Sequence, residues 1–154
     1  MFIRIALLCF PLLIVLAGCC GPAAELVPVS VEKTPVQITG GYSLGRPMLS
    51  GLEVYGKSHP CNDDPSVTCY QTIIDQSVVK IGWDENFIVV ERHPRAVVFR
   101  ATPDATNPSW FIIVVKTNAV YENLSYAQFI KRMETLEIPD LELLDAMDVY
   151  KQRQ

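Results

Sequence analysis

The side chains with the most chemistry in this 154-residue chain are its five cysteines, two histidines and seventeen carboxylates. Cys61 and Cys69 stand eight apart in the polar stretch His59-Pro60-Cys61-Asn62-Asp63-Asp64-Pro65-Ser66-Val67-Thr68-Cys69. They could close a disulfide, or join His59, Asp63 and Asp64 around a metal. Zinc sites favour Cys-x2–4-Cys or paired-His spacings, and neither occurs here. Asn62-Asp63-Asp64 also lacks the alternating acidic positions and central glycine of a calcium loop, so no metal and no cofactor are expected. Nucleophile elbows, phosphate-binding loops and metalloprotease motifs are absent. Ser58-His59 and Arg92-His93 are neighbours in sequence, but neighbours on a strand point to opposite faces. His93, between Arg92 and Pro94-Arg95, is expected to be solvated in a turn. No catalytic residue is expected, because no constellation supplies the roles a reaction needs. Arg92, Arg95 and Arg100 form a local basic group that could dock an anionic partner such as a carboxylate-bearing wall polymer; scattered solvated charge is the plainer reading. Trp83 and Trp110 could form an aromatic platform, although their strand positions favour core packing.

The remaining cysteines lie near the start. One positive charge, Arg4, precedes a run from Ile5 to Ala17 that is apolar apart from Pro11. This is the layout of an export signal. The run is shorter than the ~20 residues a spanning helix needs, and Pro11 removes a backbone donor within it. It ends in Leu16-Ala17-Gly18-Cys19-Cys20. These residues resemble the lipobox of bacterial lipoprotein precursors, Leu16, Ala17, Gly18 and Cys19 matching position for position. The resemblance implies that the Cys19 thiol receives a diacylglycerol and becomes the mature N-terminus. Acyl chains contribute about 0.8 kcal/mol per buried methylene, and stable anchoring takes more than one chain. Cys20 follows where an Asp would signal retention, which by the same resemblance points to the outer membrane, facing the periplasm, in a Gram-negative host. In a host with one membrane, the outer leaflet of that membrane is the destination. The fate of the Cys20 thiol stays open, between a free thiol and pairing with a second copy.

Removal of residues 1–18 from the 154 leaves 136, enough for one domain with a real core. Arg4 is the only charged residue removed, so 12 basic and 17 acidic side chains remain, a net charge of −5. That balance excludes the clustered basic surface of nucleic-acid binders. It also leaves attachment to acyl chains and not to a polybasic patch. Export to an oxidising compartment makes Cys61–Cys69 an expected disulfide, contributing about 2–3 kcal/mol through loop closure. The chain then divides into a signal peptide (1–18), a lipidated tether (19–40) broken by Gly21, Pro22, Pro28 and Pro35, and a globular domain (41–154). Val27–Ile38 is alternatively an edge strand.

Within the domain, Gly40-Gly41 marks a turn. Tyr42-Ser43-Leu44, Leu52–Tyr55 and Thr72-Ile73-Ile74 read as short strands. Val78–Trp83 and Phe87–Arg92 flank Asp84-Glu85-Asn86, a hairpin whose turn would place Asn86 in the left-handed region. Ala96–Ala101 and Trp110–Lys116 read as further strands, the second apolar on both faces and so covered on both. Ser125 with Gln128 has capping-box spacing. Tyr126, Phe129, Ile130, Met133 and Leu136 then recur at helical spacing. After Pro139, Leu141, Leu144 and Met147 suit a second, shorter helix, with an extended Asp140–Leu144 as the alternative. The fold class expected is α+β: a mainly antiparallel sheet, with strong curl allowed, carrying a C-terminal helix.

The order of these pieces resembles a family of small bacterial lipoproteins that contain a domain of unknown function. Gly41–Leu44, Val79–Val89, Trp110–Ile113 and Val120-Tyr121 before the Leu124–Leu136 helix carry the resemblance. The family often has Gly-Pro after that tyrosine, where this chain has Glu122-Asn123. The resemblance implies export and lipidation but no reaction. The expected function is a non-enzymatic binding or structural accessory at the cell envelope, partnered by the membrane and by an envelope protein or wall polymer. The second expectation is an inhibitor or immunity-type protein acting on an external hydrolase or toxin through the 59–70 loop.

Overall fold

A computed structural model describes residues 34–47, 51–62, 64–95 and 102–154. Cys19, Arg100, the tether before Thr34 and the expected strand Ala96–Ala101 lie outside the described residues. Every described strand pairing is antiparallel. The expected α+β class is present, with the strands divided among separate ladders.

The first ladder holds β1 (Val36–Gln37), β2 (Ser43–Gly45), β3 (Glu53–Tyr55) and β6 (Thr72–Ile74) in that order. β1 falls within the stretch read as tether, where the edge-strand alternative had placed a strand. Gly40 and Gly41, at φ 57° and 86°, make the reversal into β2, a conformation that costs glycine little. A two-stranded ladder joins β4 (His59–Pro60) to β5 (Thr68–Cys69). The third ladder is β10 (Ala119–Leu124), β9 (Ser109–Val114), β8 (Phe87–Arg92), β7 (Val78–Trp83) and β11 (Leu144–Asp145).

The β7–β8 hairpin has the expected bounds, but its turn works differently. Asn86 does not adopt a positive φ. Asp84 holds the turn instead, its Oδ1 accepting from the backbone N–H of Asn86 and of Phe87, both at 2.7 Å. Left-handed asparagines occur elsewhere: Asn118 in the β9–β10 turn, and Asn123 at a bulge in β10. That bulge stands where the family resemblance would place Gly-Pro. Reading the sequence alone overlooked β10, because Ala119-Val120-Tyr121-Glu122-Asn123-Leu124 loses its alternation at the bulge.

The two faces of β9 show why its apolar run is continuous. Phe111 and Ile113 join a core with Ile88, Val90 and Ile81, facing Val36, Leu44, Val54 and Ile74 of the first ladder. Trp110 and Ile112 join Val89 and Phe129 in a second core on the opposite face. The five-stranded sheet is thus a middle layer, consistent with the nearly uninterrupted burial of β9 within it. α1 (Tyr126–Thr135) covers the second core, and the complete Ser125–Gln128 capping box starts it as expected. α2 (Ala146–Gln152) places Ala146, Val149 and Tyr150 in the first core.

The second helix starts later than a helix through Leu141 requires. Leu141 and Leu143, two apart, pack on the second core, a period that only an extended chain offers. The extended alternative is therefore realised, and it ends in β11. Asp145 then caps α2, accepting from the N–H groups of Met147 (2.9 Å) and Asp148 (3.1 Å). Gly82 permits this crossing: a Cβ there would lie 2.7 Å from the Glu142 carbonyl oxygen.

Candidate functional site

Cys61 and Cys69 are bonded, with Cα atoms 5.1 Å apart. Both sulfurs are consumed by the bridge, so neither is a thiolate ligand. Around it, β4 and β5 pair His59 with Cys69 and Pro60 with Thr68. Cys61 N–H donates to the Val67 carbonyl at 2.9 Å, and Val67 N–H to the Asp64 carbonyl at 3.0 Å. Asp64 Oδ1 accepts from both the N–H (2.9 Å) and hydroxyl (2.7 Å) of Ser66. These bonds to the charged form hold the Asp64 carboxyl below its ordinary value. The hairpin is exposed: of its described residues from His59 to Thr68, Cys61 alone is half-buried. Val67 is 50% exposed.

The expected basic group is distributed unevenly. Arg92 is engaged within the protein on every side. It forms an ion pair with Asp75, donates from Nη2 to Asn123 at 2.9 Å and from Nε to Ser109 at 3.2 Å, and lies over the Phe111 ring at 5.0 Å. Arg95 is half-buried, with its Nε shielded from solvent and without a hydrogen-bond partner among the described residues.

His93 departs from expectation. It is not solvated: its side chain is 17% exposed, and Nε2 lies 2.7 Å from Glu91 Oε1, itself on an 11% exposed side chain. The other oxygen of Glu91 is 3.6 Å from Lys80 Nζ. Asp104 adds a carboxylate that responds to His93 and is held low chiefly by its bonds to Thr106. The signal available in sequence was the two-residue spacing of Glu91 and His93, which puts both on one side of an extended chain.

Ser77 brings a third polar residue to this end of the β7–β8 hairpin. His93 N–H donates to the Ser77 carbonyl at 3.0 Å. Ser77 has a positive φ of 74° and is buried, its Oγ without a hydrogen-bond partner among the described residues. Serine, histidine and glutamate are the residue types of an acyl-transfer triad, which needs a nucleophile hydrogen-bonded to its base. That bond is missing here, and the hydroxyl is shut off from solvent. The arrangement ties β8 to the start of β7 and does not assemble a nucleophile.

A second buried acid lies on β3. Glu53 is 6% exposed, and burial raises its carboxyl above the ordinary range, with Asp75 adding to the rise. Thr72 Oγ1 donates to its Oε2 over a long 3.5 Å. Tyr55 is two residues on, and its hydroxyl is close enough for the two groups to influence each other, without a well-formed hydrogen bond. Burial first, then the Glu53 charge, pushes that phenol upward.

Trp110 packs within the second core. Trp83 is half-buried under the Arg153 guanidinium, 5.0 Å from the ring centroid, while Arg153 Nη1 donates to the Gln37 carbonyl at 2.9 Å. Both tryptophans are therefore occupied by the protein itself. Among the described residues no helix is long and apolar enough to cross a membrane. No curated protein and no solved structure matches the chain. A family model does match, over residues 53–148, from β3 through the start of α2. The chain therefore belongs to the family described as "Protein of unknown function (DUF3997)".

Proposed function

We propose that this chain is a lipid-anchored accessory of the cell envelope, held by acylated Cys19, which acts by binding and not by catalysis. The Leu16-Ala17-Gly18-Cys19 order behind an apolar run supports the anchor. The observation that carries the reading is the Cys61–Cys69 bridge in an exposed hairpin, since such bonds persist in oxidising compartments and not in the cytosol. The anchored protein sits at the membrane surface, on the outer membrane facing the periplasm if the host is Gram-negative. Its partners are then the bilayer, through lipid, and an envelope protein or wall polymer. The test is metabolic labelling with a palmitate analogue in a bacterial host, with and without an inhibitor of lipoprotein signal peptidase. Label in the wild-type protein, precursor build-up under the inhibitor, and no label in Cys19→Ser are expected. An unlabelled wild type with no precursor would overturn the anchor.

The stapled hairpin favours a second reading, an inhibitor or immunity-type protein that blocks an external hydrolase or toxin. Co-expression with a candidate hydrolase separates the two, because inhibition belongs to the second reading alone.

A further inference from the structure

We propose that the Cys61–Cys69 hairpin is a protein-docking element whose partner presents a shallow apolar socket bordered by lysine or arginine side chains. The inference rests on the binding reading above. Neither apolar core contains a described residue from His59 to Cys69, so the conformation of this loop does not follow from core packing. It is nevertheless held by a disulfide, a two-stranded ladder and the Asp64–Ser66 turn. A loop ordered before it binds loses less conformational freedom on binding. Its half-exposed Val67 stands among small and polar residues, where an isopropyl group can serve as an anchor in a pocket. Its charge selects the partner: from Ser58 through Val79 the chain carries Asp63, Asp64 and Asp75 and no lysine or arginine. Asp75 is taken by Arg92, whereas Asp64 is exposed and, among the described residues, bonded within its own turn. An exposed carboxylate, Asp64, in the same turn as one apolar side chain, within a segment whose sequence is acidic, is complementary to an apolar socket with a basic rim.

The full-length protein, expressed in intact cells with a photo-cross-linking amino acid at position 67 or, in a second strain, at position 130 on α1, provides the test. The captured protein is then purified and titrated against wild-type domain and variants. Support requires an adduct specific to position 67. It also requires about tenfold or greater loss of affinity for Val67→Asp, with a smaller, salt-sensitive loss for Asp64→Asn. Val67 is exposed, so the variant's fold is checked simply by its thermal midpoint and intact bridge. An adduct only at position 130, no adduct at either, or a position-67 partner bound equally by Val67→Asp overturns the proposal. Each of these outcomes leaves palmitate labelling untouched, so loss of the docking element and loss of the anchor are told apart.

Discussion

The rings of Trp110 and Phe129 stack with centroids 4.5 Å apart, joining the middle sheet to α1. Tyr126 meets the same indole at 5.4 Å but is 60% exposed. Two residues of one helical stripe thus differ in how much they hold. Phe129→Ala should lower unfolding free energy by about 3 kcal/mol or more. Tyr126→Ala should cost under about 1 kcal/mol, as surface changes do. Urea unfolding with tryptophan fluorescence measures both, and equal losses would contradict the packing described.

Glu53 sets a pH dependence. Burial raises its folded-state affinity for a proton above that of the unfolded chain, so the stability linked to this group is fully present below its ordinary value, near 4.5. It is lost as pH rises through the higher folded value. Glu53→Gln removes that slope, so the variant should gain on the wild type between about pH 4.5 and neutrality. The exposed Asp64 and Asp104, both held low, act with the opposite sign but are common to both proteins and cancel. Thermal midpoints across that range are the measurement; parallel curves would refute the assignment.

Glu91 is the shared partner of His93 and Lys80. Glu91→Ala leaves a mostly buried imidazole without its hydrogen bond, at a cost of about 1–3 kcal/mol. Lys80→Ala, at a contact more than half exposed on the lysine side, should cost well under about 1 kcal/mol. A double-mutant cycle apportions the two, and a larger effect from the lysine would reverse the reading.

α1 ends on a strained residue. Glu137 has φ 53°, while Ile138 N–H closes back on the Met133 carbonyl at 3.0 Å. Glycine fits that position without a steric penalty. Glu137→Gly should therefore raise stability by about 0.5–1 kcal/mol, against the usual direction for a glycine substitution. A lower chemical-denaturation midpoint in the variant would count against the strain.

Gly82 lies under the chain that leads into β11. Gly82→Ala places a methyl group against the Glu142 carbonyl, and backbone there must move. A loss of about 1–3 kcal/mol is expected, with amide exchange quickened around residues 141–145. Unchanged exchange there would show that the crossing yields at no cost.

What was readable from order alone lies within a few residues along the chain. The bounds of the β7–β8 hairpin, the Ser125–Gln128 cap and the two-sided burial of β9 each rest on contacts between near neighbours or on composition. The pairing of Cys61 with Cys69 was legible from their spacing of eight within one polar stretch, given the expectation of export. Asn86 was misread because Asp84, two residues earlier, supplies the turn by accepting two backbone hydrogen bonds, and no propensity of Asn86 reports that. β10 escaped because its bulge interrupts the alternation by which a strand is recognised.

Tertiary structure decided the roles of the charged groups whose partners are distant in the chain. Arg92 reaches Asp75 and Ser109, each 17 positions away, and Asn123, 31 away. His93 changes from a turn residue to a held one because Ser77 meets its backbone from the start of β7, which completes the local contact with Glu91 two residues earlier. Periodicity ranks which residues are buried, since burial follows the local repeat of helix or strand. It carries no information about which buried polar group will meet which, because that depends on strand order and register, set by the packing of the whole chain.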